Sequence, residues 1–350
     1  MRIPLATTIY REVSMRAPLH RLFRLALSLL SLVPPAAFGS EPLRGADHHL
    51  HIRSESATAV WGALCESMPA ACGEAFEGSP PPTDADDAVA VLDEAGVEKG
   101  VILSLGYFYG FPELAGSEFD DPTRVRAENR YVAEQVARYP GRLAGFFSVN
   151  PMADYAFDEI RYWAAEGDLM GLKLQLANSS FDFANPEQLE RLGAILALLS
   201  EHELPLVVHL RNRDPDYGAD AANAFIDILA ARAPNIVVHI AHLAGWGAYD
   251  SGTDAALGAF LIAIAEGRLN RDHIYFDIGA VVMPNLPDEA LDLVTTRLRQ
   301  IGFDRVLFAT DWDAAEAPAQ HLTSLRARLD LSDEEWETLL TNQAPYLRPR

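Results

Sequence analysis

Residues 204–211 read LPLVVHLR, an almost continuous apolar run that ends in a histidine and an arginine. Such a run is typical of a strand buried on both faces, as the strands of parallel sheets are. Similar runs recur along the chain at a regular period. We therefore predict eight strands, at 45–52, 98–105, 142–150, 170–176, 204–211, 235–242, 272–279 and 304–311.

The segments between these runs have apolar residues at helical spacing. They include 84–95, 122–139, 186–203, 219–233 and 288–301. A strand and a helix that alternate eight times predict an α/β fold, a single (β/α)8 TIM barrel over residues 45–347, with a last helix near 332–343 on its outside. A doubly wound open sheet is the alternative, and the lack of a glycine-rich dinucleotide motif after any of the strands disfavours it.

Two of the connections from strand to helix are long. Residues 53–83 follow strand 1, and residues 106–121, GYFYGFPELAGSEFDD, follow strand 2 and are rich in aromatic residues. In a barrel such loops lie over the catalytic face, so we expect them to form the substrate pocket or a lid. Surface loops without a role are the alternative, and this suits 53–83 better than 106–121.

The first 39 residues are predicted to be a signal peptide. The apolar run LFRLALSLLSLVPPAAFGS at 22–40 is too short to span a membrane, and Ala37 and Gly39 provide small residues at the usual cleavage spacing. The mature barrel domain would be residues 40–350, exported to the periplasm or secreted, with no membrane span after signal removal. An amphipathic first helix is the alternative for 1–39.

The charge and the cysteines restrict the partners. The chain has a net charge of -22, which disfavours nucleic acid and anionic membranes and leaves a small-molecule substrate. The cysteines Cys65 and Cys72 lie in CESMPAAC, and in an oxidising compartment we expect them to form a disulfide, with two free thiols as the alternative. The oligomeric state stays open, and a homo-oligomer is among the alternatives.

Several predicted strands end in a side chain that can bind a metal. In GADHHLHIRSES, residues 45–56, His49 and His51 are two apart and so share a face of strand 1. Two imidazoles fill only half of a tetrahedral zinc shell, so other strands must provide the rest. Residues that close or occupy further strands are Lys173, His209, His242 and Asp311. All of them belong to the C-terminal mouth, where barrel enzymes have their active sites.

These motifs resemble a known superfamily. ADHHLH at 46–51 resembles the D-x-H-x-H motif of the amidohydrolase superfamily, VVHIAHLAGWG at 237–247 its strand 6 histidine, and VLFATDWD at 306–313 its strand 8 aspartate. The resemblance covers most of residues 45–347. It is closest to the amidohydrolase-related (amidohydrolase 2) branch, which includes aminocarboxymuconate semialdehyde decarboxylase and pyrone-dicarboxylate lactonase.

The resemblance implies a metal-dependent hydrolase. It implies His49, His51, His209 and Asp311 as ligands of one divalent metal, most often Zn²⁺, and His242 as the catalytic acid/base residue. Asp311 would also be catalytic, taking the proton from a metal-activated water. The expected substrate is a small amide, lactone or ester. One alternative is a nonoxidative metal-dependent decarboxylase of the same fold, and another is a non-catalytic metal- or substrate-binding barrel.

The remaining candidates are predicted to bind substrate. Lys173 is one of only two lysines beside 26 arginines, and it is either a substrate-binding cation or, if carboxylated, a bridge to a second metal; one metal is favoured over two. Arg211 either binds a substrate carboxylate or forms a salt bridge. Trp246 and Trp312 are expected to form pocket walls, with packing under loops as the alternative.

Two further polar residues are expected to have structural roles. His239 lies three residues before His242, so strand parity places the two on opposite faces and gives His239 a structural role. Asp277 lies near the C-terminal end of strand 7 and is expected to orient a metal ligand.

Overall fold

The structure is a computed structural model that describes residues 43–67, 81–119 and 121–348. The predicted signal peptide, residues 1–39, lies outside the described residues. Cys72 also lies outside them, so the disulfide with Cys65 stays a prediction. In the described ranges, no helix is both long enough and apolar enough to cross a membrane.

Eight parallel strands form one sheet in sequence order. They are β1 (Leu43–Leu50), β2 (Val97–Leu103), β3 (Leu143–Ser148), β4 (Leu172–Gln175), β5 (Leu206–His209), β6 (Val238–Ile240), β7 (Ile274–Asp277) and β8 (Val306–Leu307). Each predicted strand is confirmed; β1 is shifted by two residues towards the N-terminus, and the others are shorter than predicted. Hydrogen bonds between the first and last strand segments join the two edges, from His48 N to Phe308 O at 3.0 Å and from Asp311 N to His49 O at 2.8 Å. The fold is therefore the predicted (β/α)8 barrel.

Ten α-helices lie in the described part of the chain, and most of them form the outer layer of the barrel. They are α1 (Glu55–Ser67), α2 (Ala85–Ala95), α3 (Pro122–Ala137), α4 (Ala156–Glu166), α5 (Pro186–Glu201), α6 (Ala219–Arg232), α7 (Ser251–Ala265), α8 (Asp288–Ile301), α9 (Pro318–Arg328) and α10 (Asp333–Thr341). Side chains on their inner faces, among them Trp163, Leu196 and Phe260, are buried in the main core. The helices thus cover strands whose outward side chains are apolar.

The last helix crosses β1 very closely. A Cβ atom added to Gly45 would lie 1.8 Å from Leu340 O, so only glycine permits this approach between β1 and α10. Trp336 and Leu339 of α10 are buried in the main core. After α10, the turn Pro345–Leu347 places Tyr346 and Leu347 against the barrel residues Phe146 and Val207. The C-terminal turn therefore closes the barrel at the end opposite to the catalytic mouth.

The two long loops cover the mouth, as expected. The helix α1 occupies much of the first loop, and the second forms a helical turn at Gly106–Gly110. Residues from both pack into a separate apolar cluster that includes Val60, Leu64, Phe108 and Phe111. This cluster forms one wall of the mouth of the barrel.

Candidate metal centre

His49 in β1 and His51, directly after the strand, turn the same ring nitrogen, Nε2, towards a common point. His49 Nδ1 donates to Asp277 Oδ2 at 3.0 Å, and His51 Nδ1 donates to Leu103 O at 2.7 Å. A carbonyl or carboxylate oxygen only accepts, so each Nδ1 carries the proton of a neutral ring. The Nε2 atoms of His49 and His51 are therefore unprotonated, and each has a lone pair of the kind that binds a metal ion.

Asp311 completes a buried cluster with these nitrogens. Its Oδ1 lies 3.2 Å from His49 Nε2 and 3.2 Å from His51 Nε2. One ligand atom from each of the three residues lies within 4.8 Å of the others. The backbone of Asp311 has a left-handed φ of 61°, which turns the chain after β8. The structure thus brings together three of the four predicted ligands.

The protonation states of this cluster suit a divalent cation. Burial lowers the pKa of His49 well below its ordinary value, which favours the neutral imidazole. Burial by itself would raise the pKa of Asp311, but the nearby imidazoles of His49 and His242 hold it well below its usual range. Neutral imidazoles and an ionised carboxylate are the donor set of Zn²⁺ and similar ions. The residues present therefore fit a metal ion.

His209 lies beside this cluster at the end of β5. It is buried, and its ring centroid lies 5.0 Å from that of His242. Burial, and then the neighbouring imidazole of His242, lowers the pKa of His209 well below its ordinary value. Among the described residues, His209 is not within the 4.8 Å group that His49, His51 and Asp311 form. Its role as a fourth ligand remains a prediction.

His242 is held in place by a strained turn. Three consecutive residues after β6, His242, Leu243 and Ala244, have φ of 57°, 51° and 68°, in the left-handed region that residues with a Cβ rarely adopt. His242 N donates to Asp277 Oδ1 at 2.7 Å, and His242 Nδ1 donates to Gly279 O at 2.8 Å. The Nε2 lone pair of His242 is thereby left free, 4.0 Å from Asp311 Oδ2.

This turn overturns the expectation that His239 and His242 lie on opposite faces. His239 Nε2 donates to Asp277 Oδ2 at 2.8 Å, so both histidines contact the same carboxylate inside the barrel. Strand parity fails because β6 ends at Ile240, and the left-handed turn brings His242 back to the interior. The parity rule holds only while the chain stays extended.

Asp277 joins several of these residues. Its two oxygens accept from His49 Nδ1, His239 Nε2, His242 N and, at 3.1 Å, from Gly279 N. Although burial by itself would raise the pKa of Asp277, the hydrogen bonds from His239 and His49 hold it well below its usual range. Asp277 therefore orients His49 as an ionised carboxylate, in the supporting role that its position in β7 suggested.

Lys173 is buried beside the cluster. Its Nζ donates to His49 Nε2 at 3.2 Å, and burial lowers its pKa to about 8. The amine thus lies at the same ring nitrogen that faces the predicted metal position. This location fits either of its two predicted roles, a cation that binds substrate or a carboxylated bridge to a second metal.

The sequence matches one protein family over most of its length. A model of the family described as Amidohydrolase (Amidohydro_2) matches residues 46–342. The chain belongs to this family. The match includes all the histidines and aspartates of the cluster and confirms the resemblance of their motifs. No curated protein matches the sequence.

Solved structures of both hydrolases and decarboxylases share the fold of this amidohydrolase. A probable 2-pyrone-4,6-dicarboxylic acid hydrolase from Acinetobacter baumannii, with citric acid bound, is 14% identical, and the match covers 85% of this chain and 96% of that chain with a TM-score of 0.55. A 5-carboxyvanillate decarboxylase from Novosphingobium aromaticivorans, complexed with manganese and 4-hydroxy-3-methoxy-5-nitrobenzoic acid, is 15% identical, with coverages of 87% and 95% and a TM-score of 0.60. At such identities the likeness shows the fold alone.

The cluster of His49, His51 and Asp311 opens into a cavity of about 700 Å³ at the mouth of the barrel. One wall is aromatic, with Trp61 stacked on Phe108 at a centroid distance of 5.4 Å. The other wall is polar, with Gln175, Asn178 and Asn212. These residues were not singled out from the sequence, because a single sequence does not show which loop side chains turn inwards.

Three arginines among the described residues line this cavity, and each is paired with a carboxylate. Arg211 forms a bidentate salt bridge with Asp250, at 2.9 and 2.8 Å. Arg213 pairs with Glu113, and Arg53 pairs with Asp313. For Arg211, the structure therefore shows the salt-bridge alternative instead of a guanidinium that awaits a substrate carboxylate.

The two tryptophans predicted as pocket walls differ in position. Trp246 lines the cavity, is 52% exposed, and lies with its ring centroid 6.0 Å from that of His209. Trp312 is not among the lining residues and packs against the main core. The backbone of Trp312 pairs with Leu50 of β1.

Proposed function

We propose that this amidohydrolase is a metal-dependent hydrolase that acts on a small amide, lactone or ester. One observation carries the proposal: the free Nε2 atoms of His49 and His51 and the carboxylate of Asp311 meet at the base of an open cavity. We include His209 as the fourth ligand and Zn²⁺ as the ion, because imidazole and carboxylate ligands suit it. The protein is proposed to act after export.

The chain provides groups for the proton transfers that hydrolysis needs. When bound, a divalent ion would polarise the scissile carbonyl and lower the pKa of a water molecule. Asp311 is ionised and can accept the proton of the attacking water. His242 has an unprotonated Nε2 at 4.0 Å from Asp311 Oδ2, so it can accept a proton there and pass it to the leaving group. Lys173 can hold a substrate carboxylate or the oxygen on which charge develops.

The charges of the cavity favour a neutral or singly charged substrate. The three lining arginines are already paired with Asp313, Asp250 and Glu113, and Asp311 adds a negative charge. The chain as a whole carries a net charge of -22. Among the described lining residues, a dianionic substrate would find only Lys173 as a cation without a salt bridge, because each arginine is paired with a carboxylate. An apolar acyl or aryl group, in contrast, can pack on Trp61 and Phe108.

A nonoxidative decarboxylase is the second candidate. It is supported by the likeness to the manganese-containing 5-carboxyvanillate decarboxylase, which has the same fold. A buried cation such as Lys173 can also bind the carboxylate that leaves. Proposed export favours the hydrolase, because the decarboxylases that the motifs resemble act on intracellular intermediates. We propose Zn²⁺ for the hydrolase. For the decarboxylase, Mn²⁺ is the alternative, because that solved structure contains manganese.

Metal content and substrate turnover test the proposal together. Residues 40–350 would be purified, stripped with chelator, reloaded with Zn²⁺ or Mn²⁺, and assayed with aryl esters, lactones, N-acyl compounds and aromatic acids. We expect metal-dependent release of an acid from a neutral or monoanionic ester, lactone or amide. A compound with the same scissile bond and two carboxylates should be turned over more slowly. Release of CO₂ from an aromatic acid would establish the decarboxylase instead. No turnover of either kind with bound metal would favour the binding barrel.

A further inference from the structure

A line of buried hydrogen bonds joins the C-terminal turn to the metal centre. Tyr346 OH donates to His239 Nδ1 at 3.1 Å, and His239 Nε2 donates to Asp277 Oδ2 at 2.8 Å. His49 Nδ1 donates to the same carboxylate oxygen at 3.0 Å. His49, His239 and Asp277 are almost completely buried, so water does not replace these contacts. The line runs from the closed end of the barrel to the mouth.

The partners allow only one arrangement of protons along this line. The Asp277 carboxylate only accepts, so His239 must carry its proton on Nε2. His239 is fully buried, which favours the neutral ring, and its Nδ1 is then an acceptor. The phenolic proton occupies the bond between Tyr346 and His239. Tyr346 therefore satisfies the second nitrogen of His239 and holds the ring in the direction in which Nε2 donates to Asp277.

A displaced His239 ring would disturb the metal ligand. Without the hydrogen bond from Tyr346, the ring can turn, and its Nε2 can move away from Asp277. The carboxylate would lose one of its donors and could rotate away from His49. Since Asp277 fixes the proton of His49 on Nδ1, that movement would loosen the ring whose Nε2 faces the metal position.

We propose that Tyr346 is a positioning residue of the metal centre, which acts through His239 and Asp277 to fix the tautomer and direction of His49. The inference rests on the proposed metal site. It assigns the C-terminal turn, at the end of the barrel opposite to the substrate, a part in metal binding. Loss of the Tyr346 hydroxyl should weaken metal binding, although Tyr346 is not one of the residues that line the cavity.

The surroundings of Tyr346 allow its hydroxyl to be tested alone. The ring packs edge-on against Phe146 at a centroid distance of 5.1 Å and is stacked with His239 at 6.5 Å. The backbone of the segment is held separately, because Ala344 N donates to His48 Nε2 at 3.3 Å. Tyr346→Phe keeps both ring contacts and removes only the donor.

Tyr275 provides a matched control. It lies in the same apolar cluster as Tyr346, and its hydroxyl accepts from Arg305 Nη1 at 2.9 Å, outside the line. The Zn²⁺ affinity would be measured by competition with a chromophoric chelator. We expect Tyr346→Phe to lower it about tenfold, the low end for loss of an outer partner of a metal ligand, and Tyr275→Phe to leave it unchanged. Equal affinities of Tyr346→Phe and the unmodified protein would overturn the inference.

Two variants of His239 separate positioning from packing. Gln can still donate an amide proton to Asp277, so His239→Gln should retain most of the Zn²⁺ affinity, whereas His239→Leu should lose more than Tyr346→Phe does. The urea midpoints of both variants would be measured without metal to compare their stability. If His239→Gln and His239→Leu had equal midpoints and lost Zn²⁺ affinity to the same extent, this would count against a donor role for His239.

The effect on His49 can be read without metal. Nitrogen-15 NMR of histidine-labelled protein should show His239 protonated on Nε2 and His49 protonated on Nδ1. In Tyr346→Phe the His49 signals should broaden or shift, and in Tyr275→Phe they should stay unchanged. If the unmodified protein bound no Zn²⁺, the proposed function would fail, and these spectra would still decide the inference. Unchanged His49 signals in Tyr346→Phe would refute it.

Discussion

Replacement of Asp277 by Asn should convert His49 into the wrong tautomer. The carboxylate accepts two imidazole protons on Oδ2 and two backbone amides on Oδ1. An amide oxygen can satisfy only one of these pairs, and the amide nitrogen then faces two donors. If the oxygen keeps the backbone amides, His49 must move its proton to Nε2, where it points at the metal position.

The size of the effect follows from these contacts. Loss of an outer partner of a metal ligand lowers metal affinity about 10- to 100-fold, which corresponds to about 1.4 to 2.8 kcal/mol. A hydrogen bond to a charged group contributes about 1.5 to 3 kcal/mol, so the metal-free Asp277→Asn variant should also lose about this much stability for each bond that is not replaced.

Chelator competition and urea unfolding in EDTA measure the two effects separately. Asp254→Asn is the matched control, because this carboxylate also accepts two kinds of donor, from Arg297 and Tyr249, but lies away from the metal centre. We expect the control to bind Zn²⁺ like the unmodified protein. Zn²⁺ affinity of Asp277→Asn within twofold of the unmodified protein would refute the tautomer argument.

Three further predictions concern other parts of the chain. Ala244 has a φ of 68°, so Ala244→Gly should change the free energy of unfolding by less than about 0.5 kcal/mol, whereas Ala259→Gly in α7 should cost about 1 kcal/mol in urea unfolding. Burial raises the pKa of Glu128 to about 7 from 4.5, so the folded chain retains a proton that the unfolded chain releases, and stability falls as pH rises through this interval. Between pH 4.5 and 8, Glu128 should contribute up to about 3 kcal/mol to the fall in the free energy of unfolding, and Glu128→Gln should remove this contribution. An equal fall in the variant and the unmodified protein would contradict this. Free-thiol titration of the unfolded, unreduced exported protein should find neither Cys65 nor Cys72 reactive, and two reactive thiols would show that no disulfide forms.

The strands and most of the helices were predictable because their signal is local. An apolar run such as 204–211 needs burial on both faces whatever surrounds it, and β5 lies there. Most of the predicted runs were too long, since the apolar pattern continues into loops that pack on the core. The helix α1 was missed, since it lies in a loop and its role is to cover the mouth.

The parts of the site that depend on contacts between distant residues were not predictable. His239 was placed on the wrong face, because the left-handed turn at His242 is not visible in the residue pattern. The salt bridge between Arg211 and Asp250 joins residues far apart in sequence, as does the line from Tyr346 to His49. The residues proposed to bind the metal were selected because they recur at strand ends, which the barrel brings together.

The metal content of two histidine variants tests the central claim most directly. His242→Asn and His209→Asn would be purified in parallel, and bound metal and turnover of the substrate found in the screen would be measured. The account requires His209→Asn to lose the metal, and His242→Asn to keep it while turnover falls about 10²- to 10⁴-fold. If His242→Asn loses its metal as fully as His209→Asn does, His242 is a ligand, and the binuclear centre with carboxylated Lys173 replaces the one proposed.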